Sequence, residues 1–147
     1  MEIKAELLKP FTDEQRIKFV VENNHKLGYV IEETETALVA LGETEKEKQE
    51  RLEREKAERI AMLSLTSADV ERGIYKATGK DFDDVVALVT ELQPVGLDIK
   101  ALKIELKANN FYRGNPYVDS VGKLLGFTKE QLDLFFETGD YTKLISQ

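Results

Sequence analysis

Carboxylates spaced one helical turn apart are the most plentiful material for chemistry in this chain. Glu32/Glu35, Glu47/Glu50, Glu50/Glu53, Glu55/Glu58 and Asp81/Asp84 all have that spacing. Two such pairs on facing helices can hold Mg2+ for hydrolysis of a phosphate ester or anhydride. That would make the chain a metal-dependent helical hydrolase. Most of the pairs are interleaved with Lys or Arg, however, and 28 acidic residues in 147 produce the spacing readily by chance. Solvated surface charge explains them better. Asp81-x-Asp83-Asp84 lacks the Gly and the distal Glu of a calcium loop. The single His25 follows Asn23-Asn24 near an expected helix end, where a cation is favoured and no partner makes it a base. There is no Cys, which removes thiol nucleophiles, thiolate metal sites and disulfides together. The Gly residues stand singly at element ends, so no loop cradles phosphate. The expectation is a non-enzyme with no catalytic residue, no metal and no cofactor.

The elements that would carry any site fall into three segments: a small N-terminal module over 1–42, a charged spacer helix over 43–65 and a C-terminal helical domain over 66–147. In the first, Met1, Ile3, Ala5 and Leu7 alternate with Glu2, Lys4 and Glu6, the period of a half-buried strand. Pro10 ends it. Thr12 with Gln15 is a capping box, and Ile17, Val20 and Val21, with Phe19 to one side, supply the helix's apolar stripe up to Gly28. Tyr29-Val30-Ile31 is β-prone and short. Glu33 to Leu41 reads as a short helix with Ala37, Leu38 and Leu41 inward, closed by Gly42. The first strand then has at most one short strand of its own chain to pair with, which leaves an edge for another chain.

Glu43 to Leu65 contains no helix breaker. Thr44 and Glu47 form a capping-box pair, and Lys46/Glu50, Glu47/Arg51, Glu50/Arg54 and Glu55/Arg59 are i,i+4 pairs worth about 0.2–0.5 kcal/mol each. The seam positions include Gln49, Lys56 and Arg59, which argues against a coiled coil. Ile60 to Leu63 are apolar, so only the C-terminal half of this helix is expected to pack.

Beyond it, caps and stops punctuate a run of helices: Thr66 to Gly79, Asp81 to Pro94, Asp98 to about Tyr112, Asn115-Pro116 to Gly126, and Thr128 to Gly139, with a docking tail over Tyr141 to Ile145. Their expected core is Val70, Ile74, Val85, Leu88, Val89, Leu102, Leu106, Val121, Leu124, Leu132 and Phe135. The fold class is therefore mainly α, a C-terminal helical bundle joined by a long charged helix to a small α or α+β module. Phe11-Thr-x-Glu-Gln and Phe127-Thr-x-Glu-Gln are explained by two independent capping boxes without a duplication.

The net charge is −7, spread along all three segments. Clustered Lys and Arg for a phosphate backbone are missing, and a helix-turn-helix over 67–92 would aim Asp81, Asp83 and Asp84 at phosphates. No nucleic-acid partner is expected. No apolar run approaches the length of a membrane span and no basic leader precedes one, so no membrane partner is expected either.

Leu7-Leu8-Lys9-Pro10-Phe11-Thr12-x-Glu14-Gln15-Arg16, Asn24-His25-x-x-Gly28-Tyr29 and Glu33-Thr34-Glu35-x-Ala37-Leu38-x-Ala40-x-Gly42 resemble the start of a group of small prophage proteins encoded among or just after the tail genes. Phe111-Tyr112-Arg113-Gly114-Asn115-Pro116 and Leu132-Asp133-x-Phe135-Phe136 resemble their close. The resemblance spans most of the chain, leaves a variable charged middle, and carries cap and turn chemistry with no catalytic signature. It implies a phage or prophage setting and a structural or assembly role in the virion tail. Protein–protein contact is the expected mode, with tail proteins or a second copy as partner, in the bacterial host cytoplasm or within the virion. The alternatives are a phage-encoded inhibitor of a host protein and the metal-dependent hydrolase above. The expected contact centre is Ile3, Ala5, Leu7, Tyr29 and Ile31.

Overall fold

In a computed structural model, which describes residues 1–145, the N-terminal unit is built on the strand Ala37–Gly42. This strand (β3) lies between β1 (Glu2–Leu8) and β2 (Val30–Glu33), both antiparallel to it. The expected helix over Glu33 to Leu41 is thus corrected to a hairpin. Ala37-Leu38-Val39-Ala40-Leu41 is a short apolar run, which suits a strand with apolar groups on both faces as well as a buried helix. The turn decides between them. Thr34 Oγ1 accepts from Ala37 N at 3.0 Å, and Thr34 N donates to Ala37 O at 2.7 Å, which closes the hairpin. β1 consequently has a long partner within its own chain, contrary to the expectation of at most one short one.

Helix α1 (Asp13–Val20) begins with the expected reciprocal capping box: Gln15 N to Thr12 Oγ1 at 3.2 Å, and Thr12 N to Gln15 Oε1 at 2.9 Å. It continues as a π-helical turn, Val21–His25. Here Asn23 is buried and donates to Phe19 O, while Asn24 donates to Tyr29 O, which ties the turn to the start of β2. Phe19 of α1 packs with Leu38 and Ala40, and Ala5, Leu7, Phe11, Tyr29 and Ile31 close around them. The unit is α+β.

Helix α2 (Glu45–Ala61) has no buried residue, so its charge pattern and not its packing makes it helical. Its ion pairs differ from those expected. Arg51 binds Glu43 at 2.8 Å and Glu55 at 3.2 Å, Arg59 binds Glu137 at 3.4 Å, and Glu47 takes the Met1 amino group. Thr44 Oγ1 accepts from Glu47 N at 3.1 Å, the forward half of the expected box. Two compact units divide within this helix, the first Met1–Glu55 and the second beginning at Lys56.

α2 stops four residues short of Leu65 because the next segment pairs as a strand. β4 (Ser64–Thr66) lies antiparallel to β5 (Asn110–Tyr112). Backbone bonds extend this ladder at both ends, Ser67 N to Asn109 O on one side, Arg113 N to Leu63 O and Gly114 N to Ala61 O on the other. The helix expected from Asp98 to Tyr112 is therefore only Ile99–Glu105 (α5). A Cβ on Gly114 would lie 3.0 Å from Ala61 Cβ and 3.1 Å from Ala61 O, so close backbone approach requires glycine there.

The remaining helices are α3 (Ser67–Thr78), α4 (Phe82–Leu92), α6 (Pro116–Leu124) and α7 (Lys129–Thr138), followed by a 3-10 turn at Tyr141–Leu144. Thr66, Asp81, Asp98, Asn115 and Thr128 each cap the helix that follows, which satisfies otherwise orphaned amides at about 1 kcal/mol per cap. The described residues are mainly helical, with seven α-helices and two small antiparallel sheets among them. Ser146 and Gln147 of the expected 66–147 domain lie outside the described residues.

The core of the second unit holds Val70, Ile74, Val85, Val89, Leu102, Val121, Leu132 and Phe135 as expected. Leu106 and Leu124 only pack against it, and Leu88 is half-buried on the flank of α4. Phe111, Phe136 and Leu144 take the central places instead. Phe111 enters because β5 turns it inward, where it meets the Phe82 ring edge-on at 5.9 Å.

Candidate interaction surface

The register of the three-stranded sheet sorts its side chains onto two faces. Ala5 pairs with Ala40, Leu7 with Leu38 and Ile31 with Ala40, so these stand on the face covered by Phe19. Tyr29 joins them; a Cβ on Gly42 would meet its ring at 2.8 Å, so the ring lies directly over that glycine. Four of the five expected contact residues thus belong to the unit's own core. Ile3 is separated from them by a bulge. The register advances by two residues on β1 and one on β3 between Ile3 and Ala5, and such a bulge reverses the face of everything beyond it. Ile3 pairs with Leu41, on the opposite side, and is 59 % exposed.

That opposite face is arranged in three rows across the strands. Ile3, Leu41 and Val30 form one, Glu6, Val39 and Glu32 the next, and Leu8 with Ala37 the third. Along β3 itself Ala37 and Val39 are buried. On the flanking strands Leu8 is 65 % and Val30 44 % exposed, so with Ile3 they form an open apolar surface. Glu6 and Glu32 flank Val39 with no cationic partner among the described residues. Glu33, on the other face, does find partners, 3.0 Å from Arg16 and 3.8 Å from Lys9.

The edges of the sheet are less inviting than its open face. β2 has four residues, and β1 carries the bulge and the charges Glu2, Lys4 and Glu6. Short length, bulges and charge are the devices that hinder edge-to-edge pairing. The Glu2 carboxylate hydrogen-bonds Lys4 and holds its ammonium above the ordinary lysine pKa, so that charge persists on the edge.

Leu8, Val30, Glu6 and Glu32 were not among the expected contact residues. The signal for them was present in the adjacent apolar pairs Leu7-Leu8 and Val30-Ile31. A one-faced strand alternates strictly, whereas two apolar neighbours mean that both faces carry apolar groups.

The second unit contains an apolar cavity of about 50 Å3, bordered by Val70, Leu106, Phe111, Val118, Val121 and Phe136 among others. Ligand pockets run to roughly 300–1,000 Å3, so this is a packing void. Among the described residues no three His, Cys, Asp or Glu side chains gather as metal ligands. Asp81 and Asp84, one of the pairs spaced for a metal, instead cap α4 reciprocally, Asp84 N to Asp81 Oδ1 at 2.8 Å and Asp81 N to Asp84 Oδ2 at 3.0 Å. No described helix is long and apolar enough to cross a membrane.

Comparison with protein families, with curated proteins and with solved structures finds no match to this chain.

Proposed function

We propose that this protein acts without catalysis, through protein–protein contact, as a structural or assembly component of a bacteriophage or prophage tail. The observation that carries the contact reading is the open sheet face of the N-terminal unit, where Ile3, Leu8 and Val30 are exposed together. Apolar side chains exposed from two strands on one face cost solubility unless something covers them, and interaction sites are the usual reason for such a surface. The tail setting rests on the resemblance of the terminal segments to small proteins of prophage tail regions. In this reading the C-terminal unit is a helical bundle that serves as the body of the protein. The chain is made in the host cytoplasm and joins its partners during tail assembly or in the finished particle.

Mass spectrometry of particles and tail intermediates, purified after induction of the encoding strain, tests this. The chain is expected in the particles if it is a virion component and only in the intermediates if it is an assembly factor. Its absence from both would remove the tail role.

A further inference from the structure

We propose that the open face of the N-terminal sheet receives a basic amphipathic helix from the partner, lying along β3 between Glu6 and Glu32. The inference rests on the contact reading above and adds the chemistry of the occupant. Glu6 and Glu32 are both register partners of Val39, one from each side. Neighbouring strands stand about 4.8 Å apart, so the two acidic positions are separated by roughly 10 Å. An α-helix is about 10 Å across, and it packs on a sheet through one apolar stripe. A helix seated over Val39 therefore places that stripe between Ile3, Leu8 and Val30. Its two flanks meet the carboxylates. Lys or Arg on those flanks would pair with Glu6 and Glu32, which have no cationic partner among the described residues. Acidic flanks would set like charges against each other.

The same geometry disfavours a second copy on this face. Two copies brought face to face would gather four carboxylates around an apolar contact with no cation between them. The edges oppose strand addition for the reasons already given, a bulge on one side and a four-residue strand on the other. β3 spans six residues, or roughly 20 Å, which three to four turns of helix would cover.

The test uses the full chain and a fluorescein-labelled synthetic helix of about 14 residues, Leu on one stripe and Lys on its flanks, with a Glu-flanked twin as control. Fluorescence anisotropy is read for the wild type, for Glu6→Gln/Glu32→Gln, and for Glu130→Gln/Glu137→Gln, which removes the same charge from the second unit. The inference predicts that the Lys helix binds, that the Glu helix does not, and that binding weakens with salt. It also predicts that Glu6→Gln/Glu32→Gln raises Kd about fivefold or more while the control pair changes it less than about twofold. Equal weakening by the two pairs would overturn it, because attraction to a generally acidic protein would then suffice. Absence of binding, or equal binding of the Glu helix, would overturn it too. In any of those cases the contact reading is judged separately, by recovery of the chain from particles.

Discussion

Arg113 Nε donates to Asp133 Oδ1 at 2.7 Å, and Arg113 Nη1 reaches Asp119 Oδ1 at 2.9 Å. Arg113 follows β5, Asp119 lies on α6 and Asp133 on α7, so one guanidinium ties three elements of the second unit together. It is only 6 % exposed, and a charge so far from water needs both partners.

Arg113→Met should accordingly destabilise the protein by about 3 kcal/mol, through lost ion pairs and two carboxylates left facing each other's neighbourhood. Asp133→Asn should cost more than Asp119→Asn, since its contact is shorter and its side chain less exposed. Urea denaturation of the three variants checks both statements. A change below about 0.5 kcal/mol for Arg113→Met would mean that the hub contributes nothing.

Gly73 on α3 is held to its size by Phe135. A Cβ there would overlap the ring tip and lie 2.7 Å from Cε1, and Phe135 is itself buried. Gly73→Ala should therefore destabilise by about 1–3 kcal/mol even though alanine favours helix by about 1 kcal/mol. Gly122→Ala meets Leu132 Cδ1 at 2.7 Å, a more adaptable side chain, and should cost less. Thermal melts that rank the two the other way would show that the α3–α7 approach is looser than described.

On α4 the burial pattern separates neighbours. Val89 is fully buried and Leu88 is not. Val89→Asp should cost several kcal/mol or prevent folding, whereas Leu88→Asp should cost clearly less. Equal melting temperatures for the two variants would place the inward stripe of the helix elsewhere.

Asp140 gives a pH signature. The Thr142 hydroxyl and amide donate to its carboxylate, at 2.7 and 2.9 Å, and hold its pKa below the ordinary aspartate value. Because the folded pKa is depressed, the stabilisation is present above the unfolded value near 3.9 and is lost as pH falls through the folded one. A side-chain carbon NMR titration should find Asp140 titrating below ordinary aspartates, and Thr142→Val should move it up. An unshifted Asp140 in the wild type would remove the interaction.

What could be read without coordinates was governed by local chemistry. The boxes at Thr12 and Thr128 and the caps at Thr66, Asp81, Asp98 and Asn115 form as expected because capping depends on residues only two or three positions apart. The errors fall where distant pairing decides. Ala37 to Leu41 is compatible with either helix or buried strand until β1 and β2 flank it. Ser64 to Thr66 and Asn110 to Tyr112 become strands only by finding each other across more than forty residues. The bulge at Lys4 is silent in the alternation of Met1 to Leu7, yet it moves Ile3 to the opposite face from Ala5 and Leu7. Arg113 is likewise an ordinary charge until Asp119 and Asp133 close on it. Removal of residues 1–9 is for these reasons a poor probe of the contact surface, since it deletes a strand of the sheet; point changes on the exposed face are cleaner.

The most direct measurement of the central claim is incorporation of Ile3→Asp/Val30→Asp into particles or tail intermediates, relative to wild type, by quantitative mass spectrometry after induction. Both side chains are exposed, so circular dichroism and melting temperature should stay close to wild type. The contact reading predicts that a folded variant is made at normal levels but is lost from the particles or intermediates at least tenfold. Undiminished incorporation of the folded double variant would contradict the assignment of this face as the partner surface.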